Sequence, residues 1–143
     1  MNEIIVGVDD SATARTTAER AAALAANAGK PLHIVMAVPS RRSIGALRSR
    51  SQHWQRDSIS MADETLRALA GAIHSSTPVT RTVIIGKPAK ALCGEAVRLN
   101  ASIIAVGNKR GRGVARVLGS IAGDVAKHAP CDVLIVNTTG APK

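Results

Sequence analysis

The sequence predicts an α/β domain built on an open, doubly wound parallel sheet with helices on both faces. Three observations lead there. Short β-branched runs without polar alternation, such as Glu3–Val8 (EIIVGV) and Ile103–Val106, suit strands covered on both faces. Between such runs lie longer segments with apolar residues at helical spacing, so strand and helix alternate from end to end. The composition is 45% hydrophobic with no Phe, no Tyr and a single Trp, so the core must be aliphatic.

The first strand ends in Asp9-Asp10-Ser11, any of which could cap the helix that follows. That helix spans about Thr13 to Asn27, with Ala18, Ala22 and Leu24 as candidate buried positions and Gly29 as its stop. Leu32–Val38 is a second buried strand, which Pro39 cannot extend. Pro39 to Arg56 carries five arginines, the only Trp and no acidic residue. It reads as a solvated connection, with an anion-gathering flap as the alternative. Arginines with one aromatic are too few for a nucleic-acid platform, which stacks several bases on several rings. A helix from about Ser58 to Ile73 and a strand at Val79–Ile85 come next. Gly86-Lys87-Pro88 then turns the chain into a helix with Pro88 near its first position, running to about Leu99. After the Ile103–Val106 strand come a helix over Ser120–His128 and a last strand, Asp132–Val136. With no internal repeat and no interdomain linker, residues 1–143 read as one domain.

Lys and Arg number 19 against 10 Asp and Glu, a formal charge of +9, which favours anionic partners. Cys93 and Cys131 lack CxxC spacing and lie among apolar residues, as expected of buried free thiols in a reducing compartment. The chain enters its first strand without a charged leader, and no run reaches the ~20 apolar residues of a membrane span. A cytoplasmic protein without membrane contact is expected.

The most distinctive stretch follows Ile103–Val106. Gly107, Gly111 and Gly113 alternate with Lys109, Arg110 and Arg112, and the loop closes on Gly119-Ser120, where a helical pattern starts. Glycines let backbone approach a ligand, and a helix N-terminus offers unpaired N–H groups at its positive end. The loop is therefore a candidate phosphate cradle, the alternative being a solvated βα loop. It is not a Walker A loop, because Val114-Ala115 follows Gly113 where Lys-Ser/Thr is required. It also lacks the third glycine of a dinucleotide fingerprint and lies far from the first βα turn. Asp9-Asp10 makes a poor metal or acid–base pair, since adjacent residues leaving a strand point apart. His128 beside Cys131 is too sparse for zinc, and His33, His53 and His74 are scattered. No nucleophile–base–acid set stands out, so binding is expected rather than catalysis, with no metal ligands.

Three segments, VGVDDS, VIIGKPAKAL and AVGNKRGRGVARVLGSIAGDVAKHAPCDVLIVNT, carry a resemblance to the universal stress protein family in its single-domain form. It covers essentially the whole chain. It implies five parallel strands in order 3-2-1-4-5 and a homodimer paired through the last strand. Ligands of open α/β sheets bind at a topological switch, here between strands one and four, where Asp9 and Gly107 end their strands. Carried over, the nucleotide-binding positions are Gly7, Val8, Asp9, Ala37, Val38, Gly107, Gly119, Ser120 and Ile121. The loop residues Arg110, Gly111 and Gly113 complete the set. Asp9 would contact the nucleoside, the backbone near Ala37 and Val38 the adenine, and the glycine loop the phosphates. The ligand implied is ATP or another adenine nucleotide, AMP or cyclic AMP, with or without magnesium.

The family pattern has glycine, two residues, glycine, nine residues, then glycine and Ser/Thr. Here Arg110 stands at the second glycine, and the interval from Gly107 to Gly119 is one residue short. Gly111 could be the displaced glycine. Arg110 either pairs with a phosphate or fills its place. Two other functions fit the same fold: a dimeric interaction module without nucleotide, working with a protein partner the sequence does not name, and, less well, a basic nucleic-acid binder.

Overall fold

The computed structural model describes residues 2–40, 48–108 and 118–138. In chain order the elements are β1 (Ile4–Val8), α1 (Ala14–Ala28), β2 (Leu32–Val38), α2 (Arg48–Ala72), β3 (Val79–Ile85), α3 (Pro88–Leu99), β4 (Ile103–Asn108), α4 (Ser120–His128) and β5 (Asp132–Asn137). The five strands form one sheet in the order β3-β2-β1-β4-β5, all neighbours parallel. The expected fold class and strand order are both observed.

Alternate residues of the strands feed two aliphatic layers. Ile4, Val6, Ile34 and Met36 pack with α1 and with Ala62 and Leu66 of α2. Ile5, Val35, Ile104 and Val106 pack with Leu92 and Ala96 of α3 and with Ala122 and Val125 of α4. The buried stripe of α1 is Ala14, Thr17, Ala18, Ala21, Ala22 and Ala25. Small residues there bring the helix close to the sheet, which is how a core without Phe or Tyr fills its space. Gly29, in the left-handed region at φ 67°, ends the helix by donating its N–H to the Ala26 carbonyl.

Two local expectations differ from the structure. Thr13 occupies the N-cap of α1 without a side-chain cap bond. Asp9 instead closes a turn ahead of the helix, its Oδ1 accepting from the Ser11 N–H (2.9 Å) and hydroxyl (2.5 Å). The larger difference is α2, which starts at Arg48 rather than near Ser58. Arg and Gln are good helix formers, and no Gly or Pro interrupts residues 48–58. The residues that extend the helix carry no apolar stripe in the sequence, so periodicity could not reveal it. Gln55 Nε2 donates to the Pro39 carbonyl (3.2 Å), tying this turn to the end of β2. Arg41 and Arg42 lie outside the described residues.

Candidate functional site

With β1 between β2 and β4, the chain leaves β1 towards one edge and β4 towards the other, and a crevice opens where the connections diverge. It holds a cavity of about 260 Å³. The tips of β1 (Gly7, Val8, Asp9) and β4 (Val106, Gly107, Asn108) form its floor, and Val35 and Ala37 of β2 one side. Thr13, Ala14 and Thr17 come from the start of α1, Pro88 and Leu92 from α3, and Gly119–Ala122 from the start of α4.

Close packing leaves little room for a side chain at either floor glycine. A Cβ at Gly7 would lie 2.6 Å from Leu92 Cδ1, and one at Gly107 would lie 2.6 Å from Thr17 Oγ1. Asn108 Oδ1 accepts from the Gly119 N–H at 2.8 Å, joining the two ends of the glycine loop. The Gly119 carbonyl accepts from Gly123 (2.8 Å) and opens α4, which has no acidic residue in its first turn. The amides of Ser120 to Ala122 have no intrahelical acceptor and lie at the positive end of the helix. The cavity thus joins mostly aliphatic walls to an acidic residue, Asp9, and to the amide end of a helix. Such a site suits a flat, partly apolar ligand bearing an anionic group.

The sequence profile of the universal stress protein family matches residues 1–137. The chain belongs to the universal stress protein family. No curated protein sequence matches it. Solved structures of family members are similar in fold. The universal stress protein UspA of Lactobacillus plantarum superposes with a TM-score of 0.76 at 20% identity, covering 94% of this chain and 97% of that one. A universal stress protein in complex with cAMP is 25% identical with a TM-score of 0.65, over 96% of this chain and 98% of its own. That of Archaeoglobus fulgidus in complex with dAMP is 22% identical with a TM-score of 0.61, over 94% and 97%.

In this family member, Gly7, Val8, Asp9, Ala37, Gly107, Gly119, Ser120 and Ile121 all line the one cavity. Val38 does not: its side chain is buried in the layer under α1 and α2, and its carbonyl accepts from the Gly86 N–H at 2.8 Å. Val38 and Ala37 are adjacent on a strand and so face opposite sides of the sheet. Arg110, Gly111 and Gly113 lie outside the described residues. Thr13, Thr17, Leu92 and Asn108 line the crevice without having been singled out. Asn108 alone had a local signal, as the polar residue directly after the strand's glycine.

Outside the crevice, both cysteines are free and only half-buried, not fully buried as expected. Burial pushes both thiols up, and Asp132 and Cys93 push Cys131 further. His128 closes α4, its Nδ1 donating to the Asp124 carbonyl at 3.0 Å. His33, by contrast, belongs to a polar chain inside the α3 layer. Its Nδ1 lies 2.6 Å from Thr80 Oγ1 and its Nε2 2.9 Å from Glu95 Oε2. Arg98 grips the same carboxylate with Nε (3.0 Å) and Nη2 (2.6 Å). Among the described residues, no group of three His, Cys, Asp or Glu side chains could hold a metal.

Proposed function

We propose that this chain binds an adenine nucleotide in the crevice between β1 and β4 and acts by binding rather than by catalysis. The observation that carries the reading is the cavity itself, at the switch point, lined by both Asp9 and the first turn of α4. The relative solved with cAMP, at 25% identity over nearly the whole chain, supports the ligand class. At about 260 Å³ the cavity is smaller than the ~300–1,000 Å³ that enclose drug-sized ligands. It suits a nucleoside held inside with its phosphates outside, over α4 and the glycine loop. ATP is the ligand we favour, any magnesium being carried by the phosphates, with AMP and cyclic AMP as the nearest competitors. The formal charge of +9 favours each of these anions. We place the protein in the cytoplasmic stress response, as a single-domain homodimer joined through β5 that signals to a protein partner.

Mass spectrometry of the native protein for co-purifying nucleotide, with calorimetry for ATP, AMP and cyclic AMP, tests this. Asp9→Ala removes a charged hydrogen-bond acceptor worth about 1.5–3 kcal/mol and should weaken binding by roughly ten- to a hundredfold. Its melting temperature guards against an effect through the Ser11 turn. If Arg110 pairs with phosphate, Arg110→Gly weakens ATP more than adenosine; if it fills the site, the same change strengthens ATP. Absence of binding by any of these proteins defeats the nucleotide reading and leaves the interaction module.

A further inference from the structure

Thr80, His33, Glu95 and Arg98 form a chain that the crevice does not use. His33 stands four residues before Ala37 on β2, which is about 13 Å along a strand. His33 and Glu95 are 6% and 7% exposed, in a layer otherwise built from aliphatic side chains. Thr80 is its register partner on β3, the edge strand, and is exposed to solvent. So an exposed hydroxyl touches a buried imidazole, the imidazole touches a buried carboxylate, and the carboxylate is held by a two-point arginine contact.

The hydrogen-bond roles follow from the chemistry. The Arg98 guanidinium, and to a smaller extent His33, hold Glu95 below the usual carboxylate range against the opposing effect of burial. An ionised carboxylate only accepts, so His33 Nε2 must donate to it. A neutral imidazole with its proton on Nε2 has Nδ1 as an acceptor, and the donor facing it is the Thr80 hydroxyl. This is the arrangement of an activated nucleophile: hydroxyl, base, and a third group that orients the base.

We propose that Thr80 is a site of acylation by small donors with a good leaving group, such as an acyl phosphate or a thioester. Thr80 Oγ1 bonds to the acyl carbon while its proton passes to His33 Nδ1. The bond from the acyl carbon to the leaving group breaks, and the departing phosphate or thiolate takes up a proton from the imidazolium or from water. No oxidant or reductant is involved. His33 acts as general base, and Glu95 is a positioning residue. The open edge of the sheet gives a small donor access from solvent. Around the imidazole stand Thr80 from β3 and Glu95 and Arg98 from α3, with Glu3 acting on Arg98 in turn.

The test is to incubate the full chain with acetyl phosphate, and separately with 4-nitrophenyl acetate, and to follow intact mass and peptide maps. One acetyl group is expected on Thr80. Thr80→Val should remove that adduct and Thr80→Ser keep it. His33→Gln should slow it by about a hundredfold or more, the scale of general-base assistance. Glu95→Gln should slow it in protein that is still folded, and Glu95→Asp should recover part of the rate, a rescue that a purely structural role would not give. Acetylation confined to lysines would overturn the proposal. So would a Thr80 rate unchanged in His33→Gln. If His33→Gln fails to fold, the Thr80 variants and the Glu95 pair still decide.

Discussion

Glu95 keeps its charge inside a nearly aliphatic layer because its neighbours outweigh its burial. The hydrogen bond from Arg98 is the largest influence and lowers its pKa, burial raises it, and the bond from His33 lowers it again. A carboxyl group whose folded pKa lies below its unfolded value of about 4.3 stabilises the fold above that pH. The contribution is lost as pH falls through the folded value. Glu95→Gln should therefore cost about 1–3 kcal/mol at neutral pH, the scale of hydrogen bonds to a charged group. Its gap from wild type should close as pH falls below about 4. Urea titrations of both proteins over that range give the measurement. A gap independent of pH would mean that the charge itself contributes nothing. Arg98 is mostly exposed, so its side of the contact is screened by water, and the effect should be read at Glu95.

Between elements, the contact that shapes the crevice is β1 against α3. Gly7 leaves room for Leu92, whose Cγ would stand only 3.3 Å from a Cβ at position 7. Both Cδ atoms would lie under 3.0 Å from it, so the whole branched tip has to move. Gly7→Ala should then destabilise the fold by about 1–3 kcal/mol, as overpacked cores do. Because Leu92 also lines the cavity, ligand affinity should fall with it. Pairing Gly7→Ala with Leu92→Ala should recover part of the stability relative to the sum of the single changes, as a double-mutant cycle by urea denaturation would show. Additive losses would remove this account of Gly7. The longer α2 belongs to the same scale. Its boundary is set by helix-forming residues from Arg48 onward, and its described buried residues include Ala62 and Leu66.

For the molecule as a whole, the two sheet edges differ in what they leave open. β3 and β5 are both edge strands, and an edge exposes backbone groups to pairing with another chain. Val133, Leu134 and Ile135 are half-buried against helices of their own subunit, and Val136 is buried. A dimer through β5 would therefore rest on the strand's edge more than on its side chains. Sedimentation at micromolar concentration should give a dimer, and a monomer there would rule it out. Polar replacement of Val136 is a poor probe, since it would break the subunit first. Leu134 also packs within its own subunit, so the same reservation applies.

By itself the sequence determined the alternation of strands and helices, the aliphatic core and the placing of Asp9 and Gly107 at strand ends. Those properties are written in short windows: β-branched runs, helical spacing, and the turn chemistry of Gly29, Pro39 and Pro88. Resemblance to the family supplied the strand order, and with it most of the crevice. Only the tertiary structure decided which distant residues meet. His33 finds Glu95 across 62 positions, Gly7 faces Leu92, and Val38 turns away from the cavity that Ala37 lines. The physical reason lies in the strands. A parallel strand covered on both faces reads as one apolar run without alternation, so it carries no mark of its register or of which face each residue takes. Those are set only when the helices close over both sides.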